Sequence, residues 1–169
     1  MKVKFPLATF LLLILTASCS QTDIQEEQSL FTEDNQQITE EVSLTATAFE
    51  NEVLAAVNDY RASQNLNTLQ FGNEAYIDAE GHTMYMINEG KLSHDNFNAR
   101  AANVSEKTNA AAVAENVAKN YSTAEEVVTA WLASPSHRST IEGDFTHSSI
   151  TAREAQDGTL YYTQIFYKK

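Results

Sequence analysis

Cysteine is almost missing from this sequence. Cys19 stands alone in 169 residues, so the chain cannot close a disulfide on itself or build a cysteine-rich zinc module. Positive charge is also scarce. Eleven Lys and Arg face 23 Asp and Glu, a net charge of −12. A chain this acidic lacks the basic face that a phosphate backbone demands, which removes nucleic acid as a partner. Long apolar runs are absent but for one, Phe5 to Leu15, broken only by Pro6 and Thr9. Its length of about eleven residues falls short of the roughly 20 that a membrane-spanning helix needs.

What is present is an ordinary globular composition, 43% hydrophobic and 20% charged, in a length that suits one domain. Lys2 and Lys4 precede the apolar run, and Thr16-Ala17-Ser18-Cys19 follows it. That order predicts a bacterial lipoprotein signal peptide over residues 1–18, with Cys19 as the lipid-carrying new N-terminus. Cleavage would remove Lys2 and Lys4 and leave nine cations against 23 acids, a balance of −14. Anionic headgroups repel such a surface, so the membrane contact falls to the lipid, each buried methylene of which contributes about 0.8 kcal/mol. The expected location is the cell envelope, on the outer-membrane or cell-surface side, or the medium.

Residues 19–45 are polar and acidic, with isolated apolar residues in no sustained period, and read as a flexible tether. The folded domain is expected over 46–169. Phe49, Val53, Val57 and Tyr60 recur at helical spacing and predict an amphipathic helix over 46–64. A second helix is expected from Asn73 to Glu89, closed by Gly90. Residues 95–112 carry only a weak helix or loop signal. Ser122 or Thr123 can cap a third helix, whose stripe includes Val127, Val128, Trp131 and Leu132 and which stops at Ser134-Pro135, before a short turn over 135–141. Residues 146–154 and 159–167 read as strands flanking Gln156-Asp157-Gly158, where Asp-Gly favours a tight hairpin turn. Helices first and a hairpin last indicate an α+β class.

Seven segments in order then resemble the CAP superfamily of cysteine-rich secretory, antigen 5 and pathogenesis-related proteins, in its bacterial SCP-like extracellular branch. They are Asn58-Asp59-Tyr60-Arg61, Ala79-x-x-His82-x-x-Tyr85-Met86, Leu92-Ser93-His94, Ala114-Glu115-Asn116, Trp131-x-x-Ser134-Pro135-x-His137-Arg138, Phe145-Thr146-His147 and Tyr162-Thr163-Gln164-Ile165-Phe166. The resemblance implies an α-β-α sandwich with a central antiparallel sheet and a cleft. In animal members the cleft holds two His and two acids. His94 and Glu115 match the first His and first Glu; the second acid falls on Ser134, and the second His on Tyr161. The bacterial Ser-Pro-x-His-Arg pattern makes His137 the compensating imidazole.

The expected binding cleft is thus His94, Glu115, His137 and Ser134. His94, Glu115 and His137 form a candidate ligand set for a divalent metal such as zinc, because imidazole and carboxylate are ordinary zinc ligands. The other reading is a metal-free hydrogen-bonded network. His82 is expected to be a half-buried packing residue, His147 to begin a strand, Arg138 to pair with Glu142, Trp131 to sit in the core, and Arg61 to make a structural hydrogen bond near the cleft. Nucleophilic catalysis has little support, since Ser93 beside His94 and Ser134 near His137 are adjacencies, not an activating geometry. Two functions follow. One is a non-enzymatic module binding a hydrophobic small molecule or an envelope component. The alternative is a metal-dependent, protease-like hydrolase with Glu115 as general base. On the anchor, Cys19→Ala should shift the protein from the membrane fraction to the soluble envelope or medium fraction, read by fractionation and immunoblot; a mutant still wholly membrane-bound would reveal a different anchor.

Overall fold

The structure is a computed structural model and describes residues 45–169. The signal peptide, Cys19 and the acidic segment up to residue 44 lie outside the described residues. Among the described residues no helix is long and apolar enough to cross a membrane.

Helix α1 (Ala48–Ser63) begins in a reciprocal capping box, in which Glu50 N–H donates to the Thr47 hydroxyl and Thr47 N–H to the Glu50 carboxylate. Its buried stripe is Glu50, Val53, Leu54, Val57 and Arg61. The apolar face foreseen from spacing is therefore bounded at each end by a buried charge. A two-residue strand β1 (Gln70–Phe71) follows, then α2 (Asn73–Glu89), which ends as expected on Gly90 in the left-handed conformation, φ 66°. The weak segment turns out to be a full helix, α3 (Phe97–Thr108). Strand β2 (Ala112–Lys119) went unforeseen, because its alanines and its Glu-Asn pair hide the alternation that marks a strand. Helix α4 (Ala124–Ala133) is capped by Thr123 and α5 (Pro135–Ile141) carries proline in its first turn. Strands β3 (His147–Glu154) and β4 (Leu160–Lys168) close the chain. Their hairpin turns at Gln156-Asp157-Gly158 as expected: Ala155 N–H donates to the Thr159 carbonyl, Gly158 N–H donates to the Ala155 carbonyl, and Gly158 stands at φ 84°.

The sheet order is β1-β3-β4-β2. The antiparallel β3-β4-β2 arrangement meets the expectation, and β1 adds a short parallel pair at Gln70–His147 and Phe71–Ser148. Helices cover both faces, so the chain is an α-β-α sandwich. On one face α1, α4 and α5 pack Val53, Val57, Val127, Trp131 and Ile141 against Ile150, Tyr162 and Phe166. On the other, α2 and α3 pack Ala75, Ala79 and Val104 against Ile165 and Tyr167. Gly72 is what lets α2 start so close to the sheet, because a Cβ there would lie 2.1 Å from the Tyr167 hydroxyl oxygen.

Two buried charges fasten the helices. Arg61 donates to the carbonyls of Asn67 (2.8 Å) and Gly143 (2.9 Å) and also to that of Ile141 at the end of α5, so it is structural as expected; its partners are backbone carbonyls and not cleft side chains. Glu142 accepts from Tyr60 instead of the Arg138 expected beside it. Glu50, fully buried, accepts from Thr47 N–H (2.7 Å), Tyr76 O–H (2.9 Å), Ala152 N–H (2.8 Å) and Arg153 (2.6 Å), joining α1, α2 and β3. Arg153 in turn forks onto Glu80. Removing one partner of such a pair strands the other in low dielectric. Glu50→Ala is therefore expected to cost about 3 kcal/mol or more in urea unfolding, against a fraction of that for the exposed Glu52→Ala.

Candidate functional site

Glu115 faces the α2–α3 layer from β2, a strand at the edge of the sheet. Its side chain is 1% exposed, and a bare carboxylate at such depth would be costly. Three groups offset that cost. Arg100, on α3, sets its guanidinium across both oxygens, with Nε 2.7 Å from Oε2 and Nη2 3.0 Å from Oε1. His94, in the loop between α2 and α3, places Nδ1 2.9 Å from Oε1. His82, on α2, brings Nε2 to 3.8 Å from the same oxygen while bonding the Ser93 carbonyl at 2.8 Å. Burial pushes the Glu115 carboxyl up, yet the hydrogen bonds from His94 and Arg100 and the guanidinium charge outweigh it and hold it below the ordinary range.

The 91–96 loop is fixed by the same residues. His82 holds the Ser93 carbonyl, Arg100 Nη1 donates to the Asp95 carbonyl at 3.0 Å, and Tyr85 and Lys91 both reach the Asp95 carboxylate. His94 is left as the accessible member, its side chain 51% exposed.

Two of the four expected cleft residues bond each other directly. His94 and Glu115 meet as foreseen. His137 and Ser134 lie beside a neighbouring groove with Leu92, Val117 and Trp131, and neither bonds Glu115. What ties His137 to β2 is its backbone carbonyl, which accepts from the buried Asn116 amide at 3.1 Å. Burial holds the His137 imidazole below its ordinary pKa, and the nearby His94 adds to the shift. Tyr161, at the second-His position of the animal pattern, is buried against Met86 and Val117.

Two site residues escaped sequence reasoning. His82 is buried against the carboxylate, not merely packed, and it falls on the Ala75–Ala79–His82–Met86 stripe of α2. Arg100 stands at i, i+4, i+8 with the buried Val104 and Thr108, a cation on an otherwise inward face; that spacing was the available signal. Trp131 is in the core as expected, its indole donating to the Val117 carbonyl at 3.1 Å. His147 begins β3 as expected and stacks on Tyr167.

With this order of elements and this site in view, comparison with known proteins is decisive. The family described as the cysteine-rich secretory protein family, CAP, matches residues 54–166. The chain belongs to the CAP family. No curated protein matches the sequence significantly. Among solved structures, an outer surface protein of Borrelia burgdorferi superimposes with a TM-score of 0.64 at 18% identity, over 74% of this chain and 96% of that one. An extracellular SCP-domain protein of Bacillus anthracis gives 0.60 at 23% identity, over 71% of this chain and 40% of that one. A cysteine-rich secretory protein of Staphylococcus aureus gives 0.58 at 17%, over 74% and 40%. This CAP domain thus spans less than half of the last two proteins, and at these identities the likeness concerns the fold.

The donor set of this CAP domain does not fit a divalent metal. Both Glu115 oxygens already face a guanidinium, which repels a second cation, and His137 is not part of the group. Among the described residues no three His, Cys, Asp or Glu side chains are grouped to hold a metal ion. A carboxylate so engaged, with a lowered pKa, is also a poor general base.

The shifts predict a two-stage acid response. His82 is held below its ordinary pKa mainly by burial, so its contribution is complete above about pH 6.5 and is lost as the pH falls below that value. The Glu115 contribution is complete above about pH 4.3 and is lost below it. Melting temperatures measured from pH 8 to 3 should fall in both ranges. His82→Gln should shrink the upper stage, the remainder coming from His137 and His147, and Glu115→Gln should shrink the lower one, the remainder coming from Glu74, Asp95 and Asp157.

Proposed function

We propose that this CAP domain is a non-enzymatic binding module at the bacterial cell surface that takes an elongated hydrophobic ligand along α4. The observation that carries the reading is a groove. A cavity of 520 Å³ lined by Tyr121, Thr129, Ala130 and Ala133 shares Tyr121 and Ala130 with a second of 230 Å³ that runs past Leu92 and Trp131 to Ser134 and His137. The 520 Å³ volume is of the order of small-molecule sites; Leu92, Tyr121, Ala130, Ala133 and Trp131 give an apolar strip for an acyl chain or sterol, flanked on the wider cavity by Ser122, Glu125 and Glu126. Leu92, 42% exposed at the mouth, is an apolar contact with no cost of uncovering. A separate opening of 550 Å³ takes in His94 and the 95–99 segment, so the exposed imidazole faces solvent apart from the α4 groove.

The surface location rests on the predicted lipid-bearing Cys19 and on the outer-surface and extracellular relatives of the fold. Ala130 lines both cavities, together with Tyr121. Ala130→Trp should weaken binding of a fluorescent fatty acid or sterol about tenfold or more, with the melting temperature retained. A wild-type protein that takes up neither probe, or an unchanged affinity in Ala130→Trp, would defeat the reading.

A further inference from the structure

We propose that Arg100 is the cleft's own cation: it occupies Glu115 where a divalent metal would otherwise bind, and so closes the site to metal. The placement is specific. Arg100 spends Nε and Nη2 on the two carboxylate oxygens and Nη1 on the Asp95 carbonyl, at 2.7, 3.0 and 3.0 Å. Its side chain is only 10% exposed, so the charge cannot swing away without abandoning three charge-assisted bonds.

The groups around it explain why a resident cation matters. His94 Nδ1 and His82 Nε2 lie 2.9 and 3.8 Å from Glu115 Oε1. Two imidazoles therefore neighbour the carboxylate without forming a three-ligand metal group, His82 Nε2 being spent on the Ser93 carbonyl, and the guanidinium bars a second positive charge from the carboxylate. Arg100 is a positioning residue, acting through Glu115 and the 91–96 loop. The proposal goes beyond the groove and is independent of what the groove binds.

The test uses the full chain, with zinc alone as probe, by calorimetric titration and by melting with zinc or chelator. Wild type should show no zinc binding that requires Glu115. Arg100→Gln and Arg100→Met, the second keeping the stem, should bind one zinc about tenfold or more tighter than wild type. They should melt higher with zinc than with chelator, as a ligand of the folded state requires. Adding His94→Ala should abolish the gain. Arg100→Lys, which keeps a charge, should remain as unresponsive as wild type. Wild-type zinc binding lost in Glu115→Gln would overturn the proposal, as would folded Arg100→Gln or Arg100→Met without the gain; wild-type binding that persists in Glu115→Gln lies elsewhere and upholds it. If both variants unfold, the wild-type titration with its Glu115→Gln control decides alone.

Discussion

The structure depends on one strand being covered from both sides. β4 is buried along nearly its whole length, with Tyr162 and Phe166 on one face and Ile165 and Tyr167 on the other. A strand apolar on both faces must lie inside a sheet and between two helical layers. β2 and β3 supply the flanks by pairing with it over their full lengths, and the helices distribute themselves accordingly. The pleat then decides which neighbours meet. Glu115 turns toward α2 and α3, while Asn116, the next residue, turns toward α5 and holds its carbonyl.

Two carboxylates are buried by that arrangement, and each is made tolerable by an arginine. Glu50 has Arg153, with a tyrosine hydroxyl and two backbone amides, and it sits where α1, α2 and β3 meet. Glu115 has Arg100 with His94, and it sits where a loop meets solvent. The chemistry is alike and the surroundings differ. The first pair joins three elements and fastens layers, whereas the second has an exposed imidazole at its edge and shapes a surface. Such pairs are weak evidence for net stability, since desolvation opposes the Coulombic gain. Their geometry does fix where α1, α3 and the 91–96 loop lie.

Much of the fold was legible in the sequence. α1, α2, α4 and α5 announced themselves by periodicity, caps and proline, because those signals act over three or four residues. β2 did not, since Ala112, Ala114 and Ala118 have little strand preference and the strand exists only by pairing with β4. α3 was faint for a similar reason, its buried face being just Val104, Thr108 and the stem of Arg100. The pairing of His94 with Glu115 was available by family resemblance alone, given that they stand 21 positions apart in the chain.

By itself the sequence determined the class of fold, the family, and the acidic chain lacking an internal disulfide. Composition and short-range patterning suffice for these. Only the tertiary structure decided the membership of the site. His82 and Arg100 joined Glu115 while His137 went to a separate groove, because β2 sits at the sheet edge with a different helical layer on each side. Which side chains share a buried carboxylate depends on the pleat, on how close α2 and α3 pack, and on the desolvation that forces every nearby cation and donor to turn inward.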